Sequence, residues 1–210
     1  MGQPNEVFEK TYTHYLSLLA DADLGGIALR LGIPFDDGEM TIMLSGEGYR
    51  VSKGGIRSCD GKRAGFAQSI VLFKYLLMLP DEIPEPSGWV AYHTFKDAQP
   101  LRQNYSLQTN ARIAEYFSGK LVELELAGKR LGGEIVADDA SFDVSMQFTL
   151  LPKIPLFLRF NDADEDFESE CTTLFDQTIE SYLDMESVSI LGSLFAHKLT
   201  RDTGATADDN

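Results

Sequence analysis

The chain has 210 residues, 43% of them hydrophobic and 24% charged, and a formal net charge of -15. That length suits one domain with a full core, and the composition is that of a globular protein. The charge repels nucleic-acid backbones and anionic lipid over most of the surface, so neither is expected as a partner.

Asn5 is placed to N-cap a first helix, on which Phe8, Tyr12, Tyr15, Leu16 and Leu19 recur at helical spacing. Glycine or proline stops this helix, either at Gly25-Gly26 or at Gly32-Ile33-Pro34. TIMLSGEGYRVS (41–52) is two strand-like runs about Ser45-Gly46-Glu47-Gly48, which predicts a hairpin. KGGIRSCDGKRAG (53–65) reads as a polar, glycine-rich connector. Phe66 to Leu79 is apolar almost all round and predicts a buried helix, ended by Pro80, Pro84 and Pro86. Trp89 to Phe95 predicts a short strand. Apolar residues at 113, 117, 121, 124 and 131 predict two short helices, or one kinked at Gly119, ending at Gly132-Gly133. SFDVSMQFTL (141–150) alternates and predicts a half-exposed antiparallel strand, with IPLFLRF (154–160) as its hairpin partner. Helices over Leu174–Leu183 and Val188–Leu199 close the domain, and 201–210 reads as a disordered tail. The expected fold is one α+β domain over 1–200, with a largely antiparallel sheet packed against helices.

Cys59 and Cys171 stand far apart and outside any C-x-x-C, which is neither a disulfide framework nor a cluster site. The N-terminus has no basic segment followed by an apolar one, and Glu6 breaks the myristoylation pattern that Met1-Gly2 begins. The run IVLFKYLLML (70–79) is too short to span a bilayer. A cytoplasmic protein away from membranes is expected. His14, His93 and His197 show no metal-ligand spacing, and there is no G-x-S-x-G elbow. No cofactor is expected.

Two stretches remain as candidate sites. Lys53, Arg57, Lys62 and Arg63 lie within eleven residues, next to a predicted helix N-terminus. The spacing fails the P-loop, because five residues separate Gly55 from Gly61 and Lys62 is followed by Arg63. A helix start beside cations still suits an anion, so these four are candidate anion-binding residues. The second stretch is RFNDADEDFESECTTLFD (159–176), with six carboxylates between Asp162 and Glu170. An EF-hand loop starting at Asp162 would need Gly and Glu where Phe167 and Thr173 stand. Asp162, Asp164, Glu165 and Asp176 are the candidate metal ligands, set against a plain polar turn that leads to a helix capped at Thr172 or Thr173. In that plainer reading Asp176 lies in the first helical turn, and Asp176→Asn costs only about 0.3–1 kcal/mol.

GEGYRVSKGG, IVLFKYLLMLP, SGWVAYHTF and the long stretch LPKIPLFLRFNDADEDFESECTTLFDQTIESYLDMESVSILG together resemble domain-of-unknown-function family 3786. The resemblance covers about residues 5–200 and maps the family's pattern onto Pro152, Pro155, Asp162, Glu165, Phe167, Leu174, Phe175, Asp176, Tyr182 and Leu183. It implies anaerobic bacteria and archaea and no particular activity. Some relatives carry a cysteine-rich iron–sulfur segment like that of corrinoid iron–sulfur proteins, which this sequence lacks. The expected function is a non-enzymatic accessory or binding module in anaerobic metabolism, with a partner protein or small anion as its ligand. The alternative is an enzyme using a divalent metal at 162–170.

Overall fold

The first sheet is built from tight turns. Ser45 and Gly46 take φ of 48° and 79°, the paired positive values of a two-residue hairpin turn that matches strand twist. They join β2 (Glu39–Leu44) to β3 (Glu47–Ser52), as the sequence predicts. β1 (Phe35–Asp36) covers the outer edge of β2. The presumed connector after Ser52 is a fourth strand, β4 (Gly55–Ser58), giving the order β1-β2-β3-β4. Its glycines and charges hide one decisive residue, the fully buried Ile56. Ile56 N donates to Tyr12 Oη at 3.1 Å, and a Cβ on Gly55 would stand 2.5 Å from that same oxygen.

The second sheet has the order β5-β9-β8-β7-β6, all antiparallel. Its strands are β5 (Trp89–Ala91), β6 (Glu134–Ile135), β7 (Val144–Leu151), β8 (Ile154–Asn161) and β9 (Glu170–Asp176). β7 and β8 form the predicted hairpin. A register shift between Thr149 and Leu151 takes the Leu150 carbonyl out of the ladder. That carbonyl accepts from Ser45 N at 2.7 Å and ties the two sheets together. β9 corrects the sequence reading, which makes Leu174–Leu183 a helix capped at Thr172 or Thr173. Cys171, Thr173, Leu174, Phe175 and Asp176 are all buried, so both faces of this strand are covered and its apolar spacing imitates a helix.

The computed structural model describes residues 3–137 and 141–201, with side chains from Glu6 onward. The predicted tail beyond Arg201 lies outside the described residues, as does the Asn5 side chain. α1 (Gln3–Asp21) already includes Asn5, so the cap expected there is not where the helix starts. α1 packs on α3 (Phe66–Leu77) through Tyr12, Tyr15 and Phe73. The chain breaks at Ala22, before Gly25-Gly26, because the Asp23 side chain accepts from Gly26 N and starts α2 (Leu24–Leu31). Left-handed Gly32 ends α2.

After β5 the chain runs through 3-10 turns (Tyr92–Thr94, Lys96–Leu101) into α4 (Arg102–Tyr105), a π turn (Ser106–Ala111) and α5 (Arg112–Phe117). A break at Gly119 precedes α6 (Leu121–Arg130), the two-helix form of the expectation. A 3-10 turn (Gln177–Ser181) leads to α7 (Met185–Leu199). Asp184 caps α7, which therefore starts three residues before the predicted Val188. α7 packs against α3 and against the α4–α5 run. Among the described residues no helix is long and apolar enough to cross a membrane. The chain is one α+β domain, with two antiparallel sheets where one was expected.

Candidate functional site

The β4–α3 connector is shaped by Asp60. Its carboxylate accepts from Lys62 N at 3.1 Å and from Ser58 Oγ, and it pairs with Lys62 Nζ at 2.8 Å. The Lys62 hydrogen bond, followed by the one from Ser58, holds the Asp60 carboxyl well below the usual carboxylate range. Arg63 Nη1 donates to both oxygens of Glu9, at 2.8 and 3.0 Å. Its guanidinium lies 3.7 Å from the centre of the Tyr12 ring and 4.5 Å from that of Phe8. Arg63 is thus fastened to α1, while the Lys62 side chain is exposed and held by Asp60. Gly65 then starts α3 without a side-chain cap, so the first-turn amides keep their donors and the positive end of the dipole is bare.

The last turn of α7 comes to the same place. Lys198 Nζ pairs with Glu47 Oε2 at 2.7 Å and donates to Leu44 O at 3.1 Å. Burial raises the Glu47 carboxyl, but hydrogen bonds from Lys198 and Tyr49 and the Lys198 charge outweigh it and hold the group below its ordinary value. His197 Nδ1 lies 3.3 Å from Arg112 Nη2. Lys62, Arg63, Gly65, His197, Lys198 and Arg201 line one cleft of about 330 Å³, with Glu47 also in its wall. A neighbouring cleft of about 290 Å³ shares Leu194 and His197 and adds Arg112.

Of the four candidate anion-binding residues, Lys62 and Arg63 line this cleft and Lys53 and Arg57 do not. Lys53 is exposed in the β3–β4 turn, and Arg57 sits on β4 opposite Arg50. Sequence reasoning misses His197, Lys198 and Arg201. Only the packing of α7 on α3 brings them here, from more than a hundred residues away.

The acidic candidates are not brought together as predicted. Asp162 Oδ1 accepts from Gly119 N at 2.7 Å and from Ala163 N at 2.8 Å. Asp164 Oδ1 accepts from Asp166 N and Phe167 N, both at 2.8 Å. These are turn-forming bonds, while Glu165 points to solvent. Asp176 is at the other end of the seven-residue β9, roughly 20 Å from the turn at about 3.3 Å per residue. There it accepts from Ser87 N, Gly88 N and Thr178. Among the described residues no group of three or more His, Cys, Asp or Glu is placed to hold a metal ion. Cys171 is buried, which pushes its thiol up and keeps it protonated, so it is a poor nucleophile.

A family model described as Domain of unknown function (DUF3786) matches residues 23–198. No curated protein and no solved structure matches the chain.

Proposed function

Because the chain belongs to domain-of-unknown-function family 3786, we propose its function from geometry: a non-catalytic binding module that holds a small oxyanion between α3 and α7. The observation that carries this reading is a convergence. In a chain of net charge -15, Lys62, Arg63, Lys198 and Arg201 come from both ends of the fold to the uncapped start of one helix. Glu9, Asp60 and Glu47 hold three of these cations in place. Among the described residues Arg201 forms no close ion pair, and its charge adds to that of Lys198 in lowering the Glu47 carboxyl. The oxyanion is a free small molecule in this reading, and an acidic group on a partner protein would use the same donors. The setting in this reading is the cytoplasm of an anaerobe, and the family resemblance bears on the anaerobe alone. The alternative of a metal enzyme at 162–170 draws less support, because its ligand set is split across the length of β9.

Thermal unfolding in sulfate and in chloride of equal, low ionic strength tests the proposal, since salt screens exposed charges beyond about 10 Å at 0.1 M. Sulfate at ten times its dissociation constant adds about 1.4 kcal/mol of stability, read as a higher Tm. Arg201→Ala and Lys62→Ala each reduce that gain while leaving the Tm in chloride nearly unchanged. Equal wild-type midpoints in the two salts would remove the proposal.

A further inference from the structure

A second, larger cleft of about 660 Å³ lies where β5 stops. β5 pairs with β9 only from Trp89↔Asp176 to Ala91↔Leu174, and then turns away as the Tyr92–Thr94 3-10 segment. The Glu170–Thr173 half of β9 is left without a strand neighbour on that side. The α4–α5 run closes over the gap, and its π turn carries Asn110 to the opening. Such turns often mark functional positions in helices.

A buried chain of hydroxyls sets what Asn110 offers. Thr173 Oγ1 donates to Asn110 Oδ1 at 2.7 Å. Its single proton is then used, so Tyr105 must be the donor in the 2.6 Å bond between Tyr105 Oη and Thr173 Oγ1. Burial pushes the Tyr105 hydroxyl up, which keeps that proton in place. Asn110 lines the cleft, and with its carbonyl held by Thr173 the polar group it has left to offer a ligand is its amide N–H donors. Arg102 and Glu170 line the same cleft with opposite charges. Among the described residues they form no ion pair with each other or with any third group.

We propose that this cleft binds a small zwitterion of the amino-acid class. The ligand carboxylate meets Arg102 and the Asn110 amide, and its ammonium group meets Glu170. The volume lies within the range of small-molecule sites, and Glu170 would repel a simple anion. The site shares no residue with the cationic cleft, so each proposal stands or falls by itself.

Calorimetric titration of the full chain with single free amino acids is the test, with acetate and methylamine at matched ionic strength as half-ligands. At least one amino acid is expected to bind, with each half-ligand weaker by about tenfold or more, since a hydrogen bond to a charged group contributes that much. Arg102→Ala and Glu170→Gln each weaken binding by about tenfold. Asn110→Asp, which replaces the donor with a carboxylate, abolishes it. Arg102 and Glu170 are exposed, so those two variants keep the wild-type Tm without ligand. Absence of binding by every amino acid at millimolar concentration overturns the proposal. So does acetate binding as well as the best amino acid, or wild-type affinity in the Arg102 and Glu170 variants.

Discussion

Asp176→Ala lowers stability by roughly 2–4 kcal/mol at pH 7, because it removes several hydrogen bonds to one charged group. Asp176 is 5% exposed. Its Oδ2 accepts from Gly88 N at 2.9 Å and Ser87 N at 3.0 Å, and its Oδ1 from Thr178 N at 2.9 Å and Thr178 Oγ1 at 2.7 Å. The carboxylate ties the proline-rich corner before β5 to the end of β9 and to the turn before α7. Truncation leaves three backbone amides with water alone, and Ser87 and Gly88 are exposed enough for water to reach, which keeps the loss below the full cost of buried orphans. Asp176→Asn is also expensive here, at about 1.5–3 kcal/mol. Both oxygens accept, so an amide turns an N–H group toward Gly88 or toward Thr178. A first-turn carboxylate, as the sequence alone suggests, would lose only about 0.3–1 kcal/mol on the same change. Urea denaturation separates the two, and a loss below that bound for the Asn variant would restore the simpler reading.

The same residue makes stability depend on pH. Burial pushes the Asp176 carboxyl up, but the bonds from Thr178, Gly88 and Ser87 outweigh it and hold the group below its ordinary value. A depressed folded value means that the unfolded chain binds the proton first. The stabilisation is complete above the unfolded value of about 3.9 and is lost as pH falls through the folded one. The gap between wild type and Asp176→Ala should narrow between about pH 5 and pH 2. A gap of equal size at pH 7 and pH 2.5 would show that the charge contributes nothing.

Much of this fold is legible in local pattern. Alternation reveals the β7–β8 hairpin, Ser45-Gly46 reveals the turn between β2 and β3, and an all-round apolar run reveals α3. Pattern fails where both faces of a strand are covered. In ECTTLFD the β-branched threonines and Phe175 carry the strand signal, but burial on both sides erases the alternation. β4 fails for the opposite reason, since one buried Ile56 sits among glycines and charges. The candidate sites are half legible at most. Lys62 and Arg63 can be read from sequence as cations near a helix start, whereas Lys198 and Arg201 reach them only through tertiary packing. The role of Asp176 depends on Ser87 and Gly88, 89 and 88 residues away. No local signal encodes that pairing.

Gly192→Ala inverts the usual sign of a glycine-to-alanine change in a helix. Gly192 lies well inside the 15-residue α7, where alanine normally gains about 1 kcal/mol. Here an added Cβ would stand 2.5 Å from Tyr105 Cε2, 3.1 Å from its Cζ and 3.0 Å from Thr109 Oγ1. Neither neighbour can yield cheaply. Tyr105 is stacked on Tyr92 with ring centres 4.1 Å apart and is pinned at its hydroxyl by Thr173. Thr109 is fully buried in the π turn. Relief requires α7 and the π turn to separate, and overpacking of this kind costs about 1–3 kcal/mol. Gly25→Ala in α2 is the control, because its nearest contacts would be ordinary ones at 3.6 Å. It should be neutral or gain up to about 1 kcal/mol. Moving Tyr105 also disturbs the Thr173–Asn110 chain, so Gly192→Ala should weaken amino-acid binding in the larger cleft while Gly25→Ala leaves it alone. Chemical denaturation of both variants decides the matter, and a Gly192→Ala protein as stable as wild type would show that α7 and the π turn are not packed as closely as described.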